Sequence, residues 1–159
     1  MSNASVTPTS ATPRAKTSAR LYAVQAVYQM LLSGADAHSV YNDVMVNRVG
    51  IEPELDGVER PAPELLSAIL QGVAARRNDL DPVVTAHLKN GQNAALMMEK
   101  EPLLYALLLC GAYELMAHVD IDAPVIISDY LDVAHAYYQG NEPRMVNGIL
   151  DAIRPLYRG

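Results

Sequence analysis

Five of the ten prolines divide the chain into segments, and each stands just before apolar residues at helical spacing: Pro63, Pro82, Pro102, Pro124 and Pro143. Proline fits the first turn of an α-helix, where its missing N–H would have no intrahelical partner, but it disrupts a helix interior or a central strand. No segment shows a sustained alternation of apolar and polar residues bounded by turn signals. The sequence therefore predicts an all-α fold.

The apolar periodicity predicts about seven helices in a compact bundle. The first begins at Ser18, a suitable N-cap, and ends at Gly34, and the second runs from about Asp36 to Val49. An acidic loop rich in Pro and Gly follows over residues 50–62. The remaining predicted helices cover residues 64–78, 81–88, 102–118, 124–138 and 143–153.

The last of these helices contains Asn147-Gly148, a dipeptide typical of hairpin turns. Because the flanking apolar residues keep helical spacing and an isolated hairpin would be marginal, we place Gly148 inside the helix. Glycine there costs ~1 kcal/mol relative to alanine. This cost predicts that a neighbouring backbone, from residues 103–116, passes too close for a side chain. The alternative is a tolerated glycine that makes no contact.

Size and charge limit the function. A chain of 159 residues that is half apolar suits one domain, here residues 17–159, behind a flexible Ser/Thr/Pro tail at 1–16. Twelve Lys and Arg against eighteen Asp and Glu give a net charge of −6, a poor overall balance for binding phosphates. The first twenty residues nevertheless carry Arg14, Lys16 and Arg20 and no acid.

Other features argue against secretion, membranes and catalysis. The single Cys110 excludes an internal disulfide, and the longest apolar run, residues 103–113, is too short to span a bilayer, so we expect a cytoplasmic protein without membrane contact. Asp129, Asp132 and His135 are spaced so that they drift around a helix, and no metal, nucleotide or catalytic motif occurs. We therefore expect no enzyme activity, no metal and no cofactor.

Four motifs occur together in the order AVQAVYQ, GAYEL, DAPVIISDYLDVA and VNGILD. In this order and at these spacings, from Arg20 to about Arg154, the chain resembles the bacterial NusB transcription-antitermination family. The resemblance implies a small all-helical protein without catalytic activity. It also implies binding to the boxA element of nascent ribosomal RNA together with the NusE ribosomal protein, within the transcription elongation complex.

The resemblance further implies an RNA-binding basic arm at the start of the first helix. Arg14, Lys16 and Arg20 occupy this arm, while Thr17 and Ser18 stand where the family often has arginine, so the arm is thinned. On composition alone, these cations would more often be a solvated arm than RNA ligands.

A second RNA-binding region implied by the resemblance precedes the VNG motif. There Arg144 would meet a phosphate, and the two tyrosines would stack on bases or pack in the fold. The family often has an acid at the position of Asn141, so its absence removes a repulsive charge. The residues of this region are Tyr137, Tyr138, Asn141, Arg144 and Met145.

By family analogy, the NusE partner would bind near Glu101 and Tyr105, and homodimerisation is left open. The alternative function is a NusB-like protein-interaction module with little RNA binding of its own, which the acidic charge permits. The two functions differ in one structural expectation. RNA binding is favoured if the basic arm and Arg144 share a surface, and the interaction module is favoured if acids intervene.

Overall fold

The computed structural model describes residues 11–49, 59–89 and 92–158. Within these ranges the chain forms seven α-helices and one π-helical turn, without a β-strand, which confirms the predicted all-α class. The helices are α1 (Pro13–Ser33), α2 (Ala37–Asp43), α3 (Pro63–Thr85), α4 (Ala94–Lys100), α5 (Pro102–Ala117), α6 (Ala123–Tyr137) and α7 (Glu142–Tyr157), with the π-helix Val44–Arg48 following α2.

Helix α1 begins earlier than predicted. Its N-cap is Thr12, whose side-chain oxygen accepts a hydrogen bond from the backbone N–H three residues on. Ser18 is instead a buried residue inside the helix, and its hydroxyl donates to the carbonyl oxygen of Glu59. Residues 13–16, predicted as tail, therefore form the first turn of α1. Gly34 ends the helix with φ 76°, as predicted.

Two helix boundaries in the middle of the chain also differ from the prediction. Helix α3 joins the predicted segments 64–78 and 81–88 into one helix that ends at Thr85, and its non-helical backbone lies at Arg76 (φ −112°, ψ 17°). Helix α4, capped by the Asn93 side chain, was not predicted. The number of helices is therefore correct, although one predicted pair is merged and one short helix is new. Most of the predicted loop 50–62 lies outside the described residues.

Helix α5 occupies the centre of the fold because it is apolar on every side. It contacts α1, α3, α4, α6 and α7, and Cys110 on it is fully buried. Helix α7 contributes an apolar face that includes Val146, Leu150 and Ile153. The two helices approach at Gly111, where an added Cβ would lie 2.9 Å from Cδ1 of Leu150. A side chain at Gly111 would therefore force the buried side chain of Leu150 to shift.

Gly148 lies inside α7, as predicted, but the predicted reason is wrong. A Cβ at Gly148 would meet nothing within 4 Å, and the residue is exposed. The close approach between α5 and α7 exists, but it occurs at Gly111. Packing within the described fold therefore does not require a glycine at position 148.

The end of α5 is held by a residue far along the chain. The guanidinium of Arg158 donates to the carbonyl oxygens of Leu115 (2.8 Å), His118 (2.9 Å) and Ile121 (2.8 Å). The last carbonyls of a helix have no intrahelical partner. Arg158 supplies a partner for the Leu115 carbonyl of α5 and for two carbonyls just beyond the helix, and so joins the end of α7 to the end of α5.

Candidate nucleic-acid interface

Arg20, predicted to contact RNA, is a buried structural residue. Its side chain is only 1% exposed, its Nε donates to Glu114 Oε2 (2.7 Å), and its Nη1 donates to Asp129 Oδ2 (2.7 Å). The hydroxyl of Tyr130 donates to the same Glu114 oxygen (2.6 Å). The guanidinium is thus satisfied by two carboxylates inside the fold. The prediction that Arg20 meets a phosphate is not compatible with this position.

The buried carboxylate of Glu114 stays ionised in this network. Burial alone would raise its pKa, but hydrogen bonds from His118 and Arg20 and the charge of Arg20 lower the pKa to about 2. A buried arginine beside an ionised carboxylate forms a pair that is costly to break from either side. The start of α1 is therefore tied to α5 and α6 by charge as well as by packing.

Arg14 lies at the surface, in a groove between α1 and α6 that we call the α1 groove. Its side chain is 80% exposed, and its Nε is 3.7 Å from Glu59 Oε1. The hydroxyl of Thr12 donates to the other oxygen of that carboxylate (2.9 Å). Asp132 also lines this groove, and Lys16 is half-buried in the first turn of α1. Acids therefore stand among the cations of the predicted arm.

The two tyrosines at the end of α6 are both half-buried. Tyr137 lines a groove with Tyr28 and Arg48, on the side of α1 near the π-helix. Burial, followed by the charges of Glu101 and Glu142, raises the pKa of Tyr138 to about 12. Both rings remain candidates for stacking, but neither stands free of the fold.

Arg144 lies in a third and larger groove, which we call the α7 groove. Its volume is about 820 Å³, within the range of ~300–1,000 Å³ that suits ligands of small-molecule size. One wall is α7, and the other is the connection between α3 and α4. Two of the lining residues, Lys89 and Arg144, are exposed cations. The groove is lined by His87, Lys89, Gln92, Asn141, Arg144, Met145, Gly148, Ile149 and Ala152.

The structure therefore separates the two predicted regions. Arg14 and Arg144 line different grooves, and Asn141 and Met145 accompany Arg144. Sequence reasoning missed Lys89, which is far from the VNG motif along the chain. Its only signal was a basic residue within a polar, glycine-containing stretch, LKNGQN.

One of the two predicted partner residues is inaccessible. Tyr105 is fully buried on α5, and its hydroxyl donates to Asp81. The pKa of Tyr105 is raised by burial first and then by this hydrogen bond. Glu101, between α4 and α5, is exposed. Any partner surface in this region can include Glu101 but not the Tyr105 side chain.

The described ranges contain neither a metal-binding cluster nor a membrane-spanning helix. They contain no group of three or more His, Cys, Asp or Glu side chains arranged to hold a metal ion. None of the helices in these ranges is both long enough and apolar enough to cross a membrane.

Comparison with known proteins identifies the family. The NusB family matches residues 17–155. Similar proteins include the transcription antitermination protein NusB of Novosphingobium aromaticivorans, 34% identical over 88% of this chain and 93% of that protein. The protein of the same name from a Bradyrhizobium species is 36% identical over 89% of this chain and 82% of its own.

The fold agrees with this assignment. A solved structure of T. maritima NusB matches with a TM-score of 0.72 and 21% identity, covering 93% of this chain and 94% of that one. The predicted resemblance is thus confirmed over most of the length, and the chain belongs to the NusB family.

Proposed function

We propose that this protein is a cytoplasmic transcription antitermination factor that binds a boxA-like element of nascent ribosomal RNA together with the NusE ribosomal protein. Relatives that carry the antitermination name match this chain over most of its length. The single structural observation that supports RNA binding is the α7 groove, where Lys89 and Arg144 flank apolar residues. Cations beside apolar surfaces are what single-stranded RNA binding requires.

The proposed RNA contacts fall into two groups. Arg144, Asn141 and Met145 lie in the α7 groove, and Arg14 and Lys16 lie at the start of α1. With a net charge of −6, the protein alone would bind phosphates weakly. A basic partner would strengthen binding by adding phosphate contacts, and this is the role we propose for NusE.

A titration with boxA-like RNA, with and without NusE, tests this proposal. We expect binding in the presence of NusE and weaker binding to a scrambled RNA. Each phosphate contact on a single strand contributes about −0.7 to the slope of log K against log salt. Arg144→Gln should therefore reduce the steepness by roughly 0.7.

The matched control is Lys100→Gln. Lys100 is an exposed cation at the end of α4 that does not line the α7 groove. The Lys100→Gln variant should bind RNA with the affinity and the salt slope of the wild type. Absence of RNA binding by the wild-type protein in the presence of NusE would overturn the proposed function.

A second function is favoured by the α1 groove. Glu59 pairs with Arg14, Asp132 lines the same groove, and Arg20 is buried. Acids therefore stand among the cations of the basic arm, as expected for a protein-interaction module. In that case, NusE would bind with the same affinity whether or not RNA is present, and no RNA would be retained. The same titration therefore distinguishes the two functions.

A further inference from the structure

Packing does not explain why α7 has a glycine at position 148, although glycine lowers the stability of a helix. Gly148 lies in the interior of a 16-residue helix, where glycine is less favourable than alanine. Nothing in the described fold lies within 4 Å of the position that its Cβ would take. A glycine that no neighbouring helix requires is suited to the close approach of a ligand to the backbone. Gly148 lines the α7 groove, so a ligand in this groove would lie next to the helix backbone at Gly148.

The residues around Gly148 divide the groove by chemistry. Met145, Ile149 and Ala152 lie on the same helix and form an apolar wall beside the glycine. Lys89 stands on the opposite connection, and Arg144 stands one turn before Gly148. The groove thus combines an apolar wall on α7 with the cations Lys89 and Arg144.

The charge of the groove differs from that of the whole protein. The chain has a net charge of −6, yet the described lining of the α7 groove contains no carboxylate. Neither Lys89 nor Arg144 forms an ion pair with any residue in the ranges that the structure describes. Positive charge without a carboxylate complements the phosphates of a nucleic acid.

From this arrangement we infer that the α7 groove holds one unstacked nucleotide of single-stranded RNA, with its base against the backbone of α7 at Gly148 and its flanking phosphates beside Lys89 and Arg144. This inference rests on the proposed function and adds to it a base-binding role for Gly148 and a phosphate-binding role for Lys89. Gln92 and Asn141 lie on the groove as polar groups that could donate to the base.

Substitution of Gly148 tests the base contact. Gly148→Leu would fill the groove and displace the base, and we expect RNA affinity to fall about tenfold or more, a loss on the order of one bound base. Gly148→Ala should weaken RNA binding less but raise the melting temperature, because alanine favours the helix. A glycine kept only for structure would not give opposite effects on stability and binding.

Asn147→Leu is the matched control for Gly148→Leu. Asn147 is the exposed neighbour of Gly148 on α7, and it does not line the groove. This variant adds the same side chain to the same helix turn. It should bind RNA like the wild type in the presence of NusE.

Lys89→Gln tests the phosphate contact. The salt slope should become less steep by about 0.7, by the same counterion release that applies to Arg144. Lys100→Gln again serves as the control. The loss should be similar for boxA-like and scrambled RNA, since phosphate contacts position the strand without reading its sequence.

The outcomes separate the inference from the proposed function. If the wild-type protein with NusE binds no RNA, the proposed function fails and the inference fails with it. If the wild type binds but Gly148→Leu binds equally well, the groove is not the nucleotide site, although the proposed function stands. If Gly148→Leu weakens NusE binding in the absence of RNA, the groove is a protein-binding surface and the inference is overturned.

Discussion

The α1 groove and the α7 groove both carry an exposed arginine, but they differ in what lies beside it. In the α1 groove, Arg14 faces Glu59 at 3.7 Å, with Asp132 in the same lining. In the α7 groove, Arg144 shares the described lining with Lys89 and no carboxylate. An RNA phosphate must compete with a carboxylate at the first groove, whereas at the second it would meet two cations.

This difference shows that a segment that is basic in sequence need not form a basic surface in the folded protein. Residues 1–20 contain no acid, and on sequence alone they are the most favourable place for phosphate binding. Folding brings Glu59, Asp129 and Asp132 to the start of α1 from distant parts of the chain. Arg144, only two residues after Glu142 in sequence, faces a groove without an acid in its described lining.

The largest expected effect separates Arg20, which is buried near the start of α1, from Arg144, which is exposed in the α7 groove. We expect Arg20→Met to lower the free energy of unfolding by ~3–5 kcal/mol, because it leaves the buried charge of Glu114 without its partner. Arg144→Met should change it by less than about 0.5 kcal/mol, as a surface substitution. Urea unfolding measures both. Equal effects would show that Arg20 is not a core residue, and adding Glu114→Gln to Arg20→Met should restore part of the loss.

The buried network should also control stability in acid. The pKa of Glu114 is lowered in the folded state to about 2, from about 4.5 in the unfolded chain. Its contribution is therefore complete above pH 4.5 and is lost as the pH falls toward 2. The expected loss is on the order of 3 kcal/mol, since one pKa unit corresponds to about 1.4 kcal/mol. Unfolding should be followed across this range, and an equally steep decline in Glu114→Gln would contradict the assignment.

The two helical glycines at α5 and α7 give a third test. Gly111→Ala should destabilise the fold by ~1–3 kcal/mol, because its Cβ would lie 2.9 Å from Leu150 Cδ1 in a filled core. Gly148→Ala should stabilise the fold by ~0.5–1 kcal/mol, because its Cβ enters open space. Thermal unfolding of the two variants should move in opposite directions. A loss of stability in Gly148→Ala would restore the packing role predicted from sequence.

The smallest expected effect concerns the carboxylate in the α1 groove. Glu59→Gln removes the charge beside Arg14 and should strengthen RNA binding in the presence of NusE by up to about fivefold. This corresponds to the ~0.2–1 kcal/mol of an exposed ion pair. Glu99→Gln, an exposed change on α4, is the control. An unchanged affinity for Glu59→Gln would show that Arg14 does not contact the RNA.

Much of the fold could be predicted from the sequence, because local signals determine it. Proline placement and apolar periodicity indicated the helical class, and Gly34 and Asp36 marked a helix end and a helix start. The Thr12 cap was missed because Ser18 offered the same chemistry closer to the apolar run. Helix α4 was missed because its seven residues are too few to show a clear period.

The candidate site was less predictable, because burial and pairing depend on distant residues. Nothing near Arg20 in sequence indicates that Glu114 and Asp129 will enclose it. Tyr105 lies within a helix that is apolar except for Glu114, so its face could not be assigned before the neighbours of α5 were known. Lys89 and Arg144 line the same groove only because the α3–α4 connection packs near α7. These are long-range effects that a single sequence does not encode locally.

The hydrogen bonds of Arg158 also have a consequence for synthesis. Its guanidinium donates to carbonyls that precede it by 37 to 44 positions. At ~5–20 residues per second, the ribosome adds that length in roughly 2–9 s. Throughout this interval, water must solvate the carbonyls at the end of α5, and the interior of the nascent protein cannot close around them. The final assembly of the fold should therefore wait for Arg158 to leave the ribosome exit tunnel.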